Sequence, residues 1–303
     1  LRVADDVGDG EHVSLTDIAV AHRGGAGLAP ENTLAAFEMS HALGLRLLET
    51  DVQVTKDGVA LAFHDATLAR TAGIDARVRD LTWEELRAVR VGGEPIQRLD
   101  TLLDAFPDAS FLIDLKTVRA AAPLVDAVRR TRSAERVCVA DGRDTWLRDV
   151  AETTGCARSL GWRGLLTLMG AAKTGTRAPR RVLHGAFAAH IATRLGGIPW
   201  MADARAAARL VDMTHDAGLR LVTWTVNDSA QMTRYLDAGV DSVITDRPDL
   251  LREVLVARDA WTAPEGSPLV RTQPKRTAPL ELTRTPTRAP SSSVAAVGAS
   301  SLG

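Results

Sequence analysis

The chain has 303 residues, 45% of them apolar and 25% charged, and its 37 basic and 38 acidic side chains leave a formal net charge of −1. This is an ordinary globular composition with material for a large core, and it offers no electrostatic case for a nucleic-acid or membrane-surface partner. No apolar run approaches the ~20 residues that span a bilayer. The acidic start Leu1–Glu11 lacks the pattern of a secretion signal, and the two cysteines, Cys138 and Cys156, make no disulfide framework; a reducing cytoplasm is the expected location.

Residues 1–16 read as a loose lead-in. Ile18–Ala21 is the first buried strand and delivers His22 and Arg23 at its end. The run Gly24-Gly25-Ala26-Gly27 allows a tight turn or a close backbone approach, but it has neither the spacing of a dinucleotide fingerprint nor the ending of a phosphate-binding loop. Asn32 and Thr33 then start a helix at about Leu34, with Gly44 as its stop. Arg46–Thr55 is a second strand, and its period of two puts Glu49, Asp51 and Gln53 on one face. The turn Lys56-Asp57-Gly58 leads into Val59–Phe63, a hairpin-like return that brings His64 beside those carboxylates.

Residues 66–107 read as an inserted helical excursion, with a capping box formed by Thr82 and Glu85. Phe111–Lys116 repeats the strand design, with Asp114 and Lys116 facing one way and Phe111, Ile113 and Leu115 the other. A helix about Leu124–Arg130, a strand Val137–Ala140, a helical stretch 144–153 and a strand Cys156–Leu160 follow. The Gly- and Arg-rich stretch 161–202 has no clear register. Beyond it come a helix over 203–217, a strand Arg220–Val226 carrying Trp224, a helix over 229–238, a strand Ser242–Thr245 ending at Asp246, and a last helix over 248–257. Strand and helix alternating in this way, with polar residues at the strand ends, predict a closed parallel barrel over residues 17–260. From about 261 onward the chain holds six of the thirteen prolines among Thr, Ser, Arg and Ala, and this tail to 303 reads as disordered.

The polar strand ends supply every part needed to cleave a phosphodiester. Glu49, Asp51 and Asp114 are hard oxygen donors for one divalent cation, Mg²⁺ or Ca²⁺. Arg23 and Lys116 can hold anionic phosphate oxygens, and His22 and His64 are the natural candidates for an acid–base pair. Singly, each has a plainer reading: a structural histidine, a solvated strand face, a simple ion pair, a core tryptophan. Their coincidence at matching strand ends favours the chemical one.

The motifs His22-Arg23-Gly24, Pro30-Glu31-Asn32-Thr33, Glu49-Thr50-Asp51, Lys56-Asp57-Gly58, His64-Asp65, Asp114-Leu115-Lys116, Trp224-Thr225-Val226-Asn227 and Ile244-Thr245-Asp246-Arg247-Pro248 occur in this order. With them the chain resembles the glycerophosphodiester phosphodiesterases. The resemblance implies a (β/α)₈ TIM-type barrel with a small insertion after the third strand, and hydrolysis of glycerophosphodiesters to sn-glycerol 3-phosphate and an alcohol. It places Glu49, Asp51 and Asp114 on the metal, His22 and His64 in catalysis, Arg23 and Lys116 on the phosphate, and Trp224 against the glycerol. It also implies attack by the substrate's own glycerol hydroxyl, giving a cyclic phosphate that water opens. The third ligand, commonly Glu in the family, is here the shorter Asp114, and Glu31 is expected to brace its loop. Two alternatives are a lysophospholipase D-like enzyme on the same barrel and a non-catalytic barrel that binds a phosphorylated ligand.

Overall fold

The computed structural model describes residues 17–140 and 142–262. The expected lead-in and all but the first two residues of the expected tail lie outside the described residues. Eight parallel strands form the ring: β1 (Ala19–Ala21), β2 (Leu47–Val54), β3 (Ser110–Leu115), β4 (Val137–Ala140), β5 (Ala157–Arg158), β6 (Ala188–Ala192), β7 (Arg220–Trp224) and β8 (Ser242–Thr245). β1 lies between β2 and β8, with Val20 paired to Leu47 on one side and to Ile244 on the other. The ring closes between β5 and β6 through the Ser159–Ala188 bridge, where Leu160 N donates to Ala188 O at 2.8 Å.

Alternation along the strands sorts the side chains into two cores. Val20, Leu47, Leu112, Cys138, Ala188, Val222 and Ile244, one from each of seven strands, fill the barrel interior as a plug. Phe111, Ile113 and Leu115 point outward into the larger core between ring and helices. Truncating a fully packed residue such as Ile113 to Ala is expected to cost about 2–5 kcal/mol.

The outer helices form for local reasons. Ala204–Asp216 is capped by Asp203, whose carboxylate accepts from Arg205 N and Ala206 N at 3.0 and 3.1 Å. It buries Ala207, Leu210, Val211 and Thr214, a stripe at spacings of three and four. Thr33 caps the helix Leu34–Ala42 by accepting from Ala36 N.

The structure amends the sequence reading in three places. The insertion is only partly helical: it holds the short helices Ala69–Ala72 and Trp83–Leu86, the latter with the capping box, and a small ribbon pairing Arg90–Val91 with Glu94–Pro95. It follows the chain's third strand, Ala60–Ala62, which runs antiparallel beside β2 and is not part of the parallel ring. The helix Leu99–Ala105 at its end packs into the main core, so it belongs to the barrel. The stretch 161–202 contains the helix Trp162–Thr174 and the whole of β6. Trp261, assigned to the tail, is packed at 8% exposure in the main core.

Candidate active site

The plug ends where the chemistry begins. Two residues beyond a plug residue, a strand again points inward, one layer higher. That step leads from Val20 to His22, Leu47 to Glu49, Leu112 to Asp114, Val222 to Trp224 and Ile244 to Asp246. All but the last of these, with Arg23, Asp51, His64 and Lys116, line a single cavity of about 470 Å³ at the C-terminal end of the barrel. Every residue the sequence assigns to metal, catalysis or substrate therefore opens on the same space. Trp224, at 40% exposure, stands at the rim and is no core aromatic.

Both histidines are held by carboxylates. His22 Nδ1 lies 2.6 Å from Asp246 Oδ1, and Asn227 donates to the other Asp246 oxygen at 2.6 Å. His64 Nδ1 lies 2.6 Å from Asp65 Oδ1, and Arg70 Nε donates to Asp65 Oδ2 at 2.7 Å. An imidazole committed at Nδ1 keeps Nε2 for other partners, and the carboxylate fixes ring and tautomer. Burial alone would depress the His22 pKa; the Glu49 charge and the Asp246 hydrogen bond outweigh it and shift the group upward. The Arg70 hydrogen bond, aided by His64, holds Asp65 down at about 2.

The carboxylates are braced as well. Arg23 sits in the left-handed region at φ 49°, and its backbone N–H donates to Glu49 Oε2 at 2.8 Å. Non-glycine residues hold that conformation only where surroundings impose it. Gly25, at φ 99°, makes the same loop possible, since a Cβ there would lie 2.5 Å from Ser40 Oγ. Asn32 donates to Asp51 Oδ2 at 3.1 Å and accepts from Thr50 Oγ1 at 2.8 Å. Glu31 accepts from Arg23 at 2.9 Å and from Arg70 at 2.7 Å, so it ties the first loop to the insertion. The sequence assigns no place in the site to Asp65, Asp246, Asn32 or Asn227. His64-Asp65 is visible as a dipeptide, but no local signal joins His22 to Asp246.

Lys116 Nζ stands between Asp51 and Asp114, 2.8 Å from one and 2.5 Å from the other. Lys116 and Arg23 pull Asp51 below its ordinary pKa against the effect of burial, whereas burial raises Asp114. Glu49 has less compensation: burial, then the Asp51 charge, pushes it up to about 7. Among the described residues no trio of such side chains is already arranged to hold an ion. The donor chemistry nonetheless fits a hard cation: three carboxylates, Glu49 and Asp51 buried and Asp114 half-buried, share one cavity, and one of them lacks positive charge enough to ionise readily.

Over residues 22–250 the chain matches the model of the glycerophosphoryl diester phosphodiesterase family. The chain belongs to that family. The probable glycerophosphodiester phosphodiesterase 2 of Mycobacterium tuberculosis is 37% identical over 249 residues, covering 80% of this chain and 92% of that protein. The glycerophosphodiester phosphodiesterase of Caldanaerobacter subterraneus is 32% identical over 252 residues, covering 78% and 97%. Among solved structures, an Oleispira antarctica phosphodiesterase in complex with its product sn-glycerol-3-phosphate superposes with a TM-score of 0.64 at 20% identity, covering 80% of this chain and 97% of that one. This family member is thus an enzyme, a phosphoric diester hydrolase of the glycerophosphodiester phosphodiesterase type, on a TIM-type barrel. Among the described residues no helix is long and apolar enough to cross a membrane.

Proposed function

We propose that this enzyme hydrolyses glycerophosphodiesters to sn-glycerol 3-phosphate and an alcohol by proton transfer through His22 and His64, with one divalent cation, Mg²⁺ or Ca²⁺, held by Glu49, Asp51 and Asp114. One observation carries the reading: two histidines, each committed at Nδ1 to a carboxylate 2.6 Å away, border the same cavity as the buried carboxylates Glu49 and Asp51 and the half-buried Asp114. A bound cation would neutralise charge on the phosphate oxygens. Arg23 and Lys116 exchange part of their carboxylate contacts for those oxygens, Arg as a planar fork and Lys as a point charge. The upward shift of His22 favours it as the acid that protonates the leaving alcohol oxygen. His64, aligned by Asp65, takes the proton of the glycerol hydroxyl that attacks phosphorus. The roles reverse when water opens the cyclic phosphate. Trp224 packs on the glycerol moiety at the rim. Cys138 and Cys156 are both free and buried, which supports a reducing compartment, the cytoplasm.

The test is release of glycerol 3-phosphate from glycerophosphocholine, glycerophosphoethanolamine and glycerophosphoinositol, with lysophosphatidylcholine beside them, with and without EDTA. Turnover of the first three that chelation stops, and that His64→Ala abolishes in a folded protein, is expected. Unchanged rates in His64→Ala would refute the assignment, and turnover confined to lysophosphatidylcholine would move the substrate to lysophospholipids.

A further inference from the structure

The step of two that leads from plug to site on β1, β2, β3, β7 and β8 also applies to β6, where it leads from Ala188 to His190. His190 lines the same cavity. In an eight-stranded ring β6 lies opposite β2, so this histidine stands across the barrel from Glu49. Its side of the cavity is otherwise mostly apolar or small, with Ala140, Leu160, Trp162 and Ala192, and Ser159 and Arg143 are its other polar groups.

No described residue hydrogen-bonds the His190 ring, and its Nε2 is closed off from water. A polar group without water or partner is unfavourable, and each such case in a native fold calls for an explanation. Here the cavity offers one: His190 lines it, so a molecule bound there would meet the ring, and a half-turn of the ring exchanges the positions of nitrogen and carbon. Burial pushes the His190 pKa down to about 4, so the ring is neutral through the physiological range and carries one donor and one acceptor. That pairing suits a hydroxyl and not a phosphate, whose oxygens are drawn to the cations Arg23 and Lys116 on the other side.

The alcohols of glycerophosphodiesters vary, and choline has no hydroxyl once esterified. Glycerol is the constant part, and so the part a buried group can rely on. The hydroxyl next to the phosphate ester is committed to phosphorus, which leaves the terminal one. Resting on the glycerophosphodiesterase reading above, we infer that His190 is a substrate-specificity residue whose ring hydrogen-bonds the terminal glycerol hydroxyl, the one farther from phosphorus.

The experiment compares the full chain with His190→Leu and His190→Gln on two substrates, glycerophosphocholine and its analogue built on propane-1,2-diol, which keeps the attacking hydroxyl and lacks the terminal one. Choline release reports both. The wild type is expected to prefer the glycerol substrate by about 10- to 100-fold in kcat/KM, chiefly through KM. His190→Leu removes that preference by lowering kcat/KM on glycerophosphocholine alone, and His190→Gln, which keeps a donor and an acceptor, retains part of it. Preference intact in His190→Leu, or an equal loss on both substrates with a lowered melting temperature, would overturn the inference in favour of a structural histidine. Should His190→Leu not fold, the comparison rests on His190→Gln, where a preference equal to that of the wild type decides against it. If the wild type turns over neither substrate, the functional reading fails; if it turns over both while His190 proves indifferent, this inference alone fails.

Discussion

His22 and Asp246 lie 224 residues apart in the chain and 2.6 Å apart in the fold, because β1 is flanked by the last strand of the barrel. Asp246→Asn leaves the contact in place without its charge. The pKa of His22, now above its ordinary value, is expected to fall. With His22 as the acid, activity persists at low pH and is lost as pH rises through that pKa, so the alkaline limb of kcat moves to lower pH. A loss on the order of 100-fold in kcat accompanies it, within the range for acid–base groups. NMR titration of His22 and the kcat–pH profile check both parts, and an unmoved limb would argue against the role.

With Glu49 as a ligand, as proposed, the cation becomes visible in stability. Its pKa is raised from an ordinary 4.5 to about 7 in the fold, so its contribution is complete below pH 4.5 and is lost as pH rises to 7. A cation bound to the ionised carboxylates reverses the loss. Saturating Mg²⁺ or Ca²⁺ at about 100 times Kd stabilises the native state by about 2.7 kcal/mol, a rise of roughly 5–10 °C in Tm for a domain of this size. Melting curves should show that rise at pH 7.5 and much less of it at pH 5. Equal rises at the two values would remove Glu49 from the cation site.

On the proposed assignment, Lys116 and the cation compete for the same oxygens. Lys116→Met frees Asp51 and Asp114 from an ammonium at 2.8 and 2.5 Å, so cation affinity is expected to rise while kcat falls. Asp114→Asn does the opposite to affinity, weakening it by on the order of tenfold, about 1.4 kcal/mol. Titration calorimetry with both ions measures the two changes, and a shift in the same direction in both variants would contradict the arrangement.

Arg70 acts on His64 through Asp65. Half of the Arg70 side chain is exposed, so Arg70→Ala is expected to cost under about 1 kcal/mol of stability. Without it Asp65 rises from about 2 toward the ordinary carboxylate range, and His64 loses its fixed orientation. A fall of about tenfold in kcat with KM nearly unchanged is the expected signature, read from steady-state kinetics beside a thermal melt.

Where a strand is a run of branched or large apolar residues, the barrel was legible from its residues. β2, β3, β7 and β8 are of this kind, and their period of two also marked Glu49, Asp51, Asp114 and Lys116. β6 reads Ala-Ala-His-Ile-Ala, four small or charge-neutral residues of weak strand preference around one isoleucine, and the pattern is lost among the neighbouring Gly and Arg residues. The ribbon in the insertion has a local signal in Gly92-Gly93, which at φ 56° and 93° joins its two strands. The partners that align the two histidines divide in the same way. Asp65 follows His64 directly, whereas Asp246 reaches His22 only because the sheet closes. His190 becomes visible once the plug is known and each strand is advanced by two.

The placement of β1 between the second strand and the eighth has a consequence for synthesis. A chain leaving the ribosome exposes its acids, bases and cations by position 116, yet His22 waits for a carboxylate encoded 130 residues later. Half-made copies therefore lack the carboxylate that aligns this imidazole until β8 takes its place beside β1.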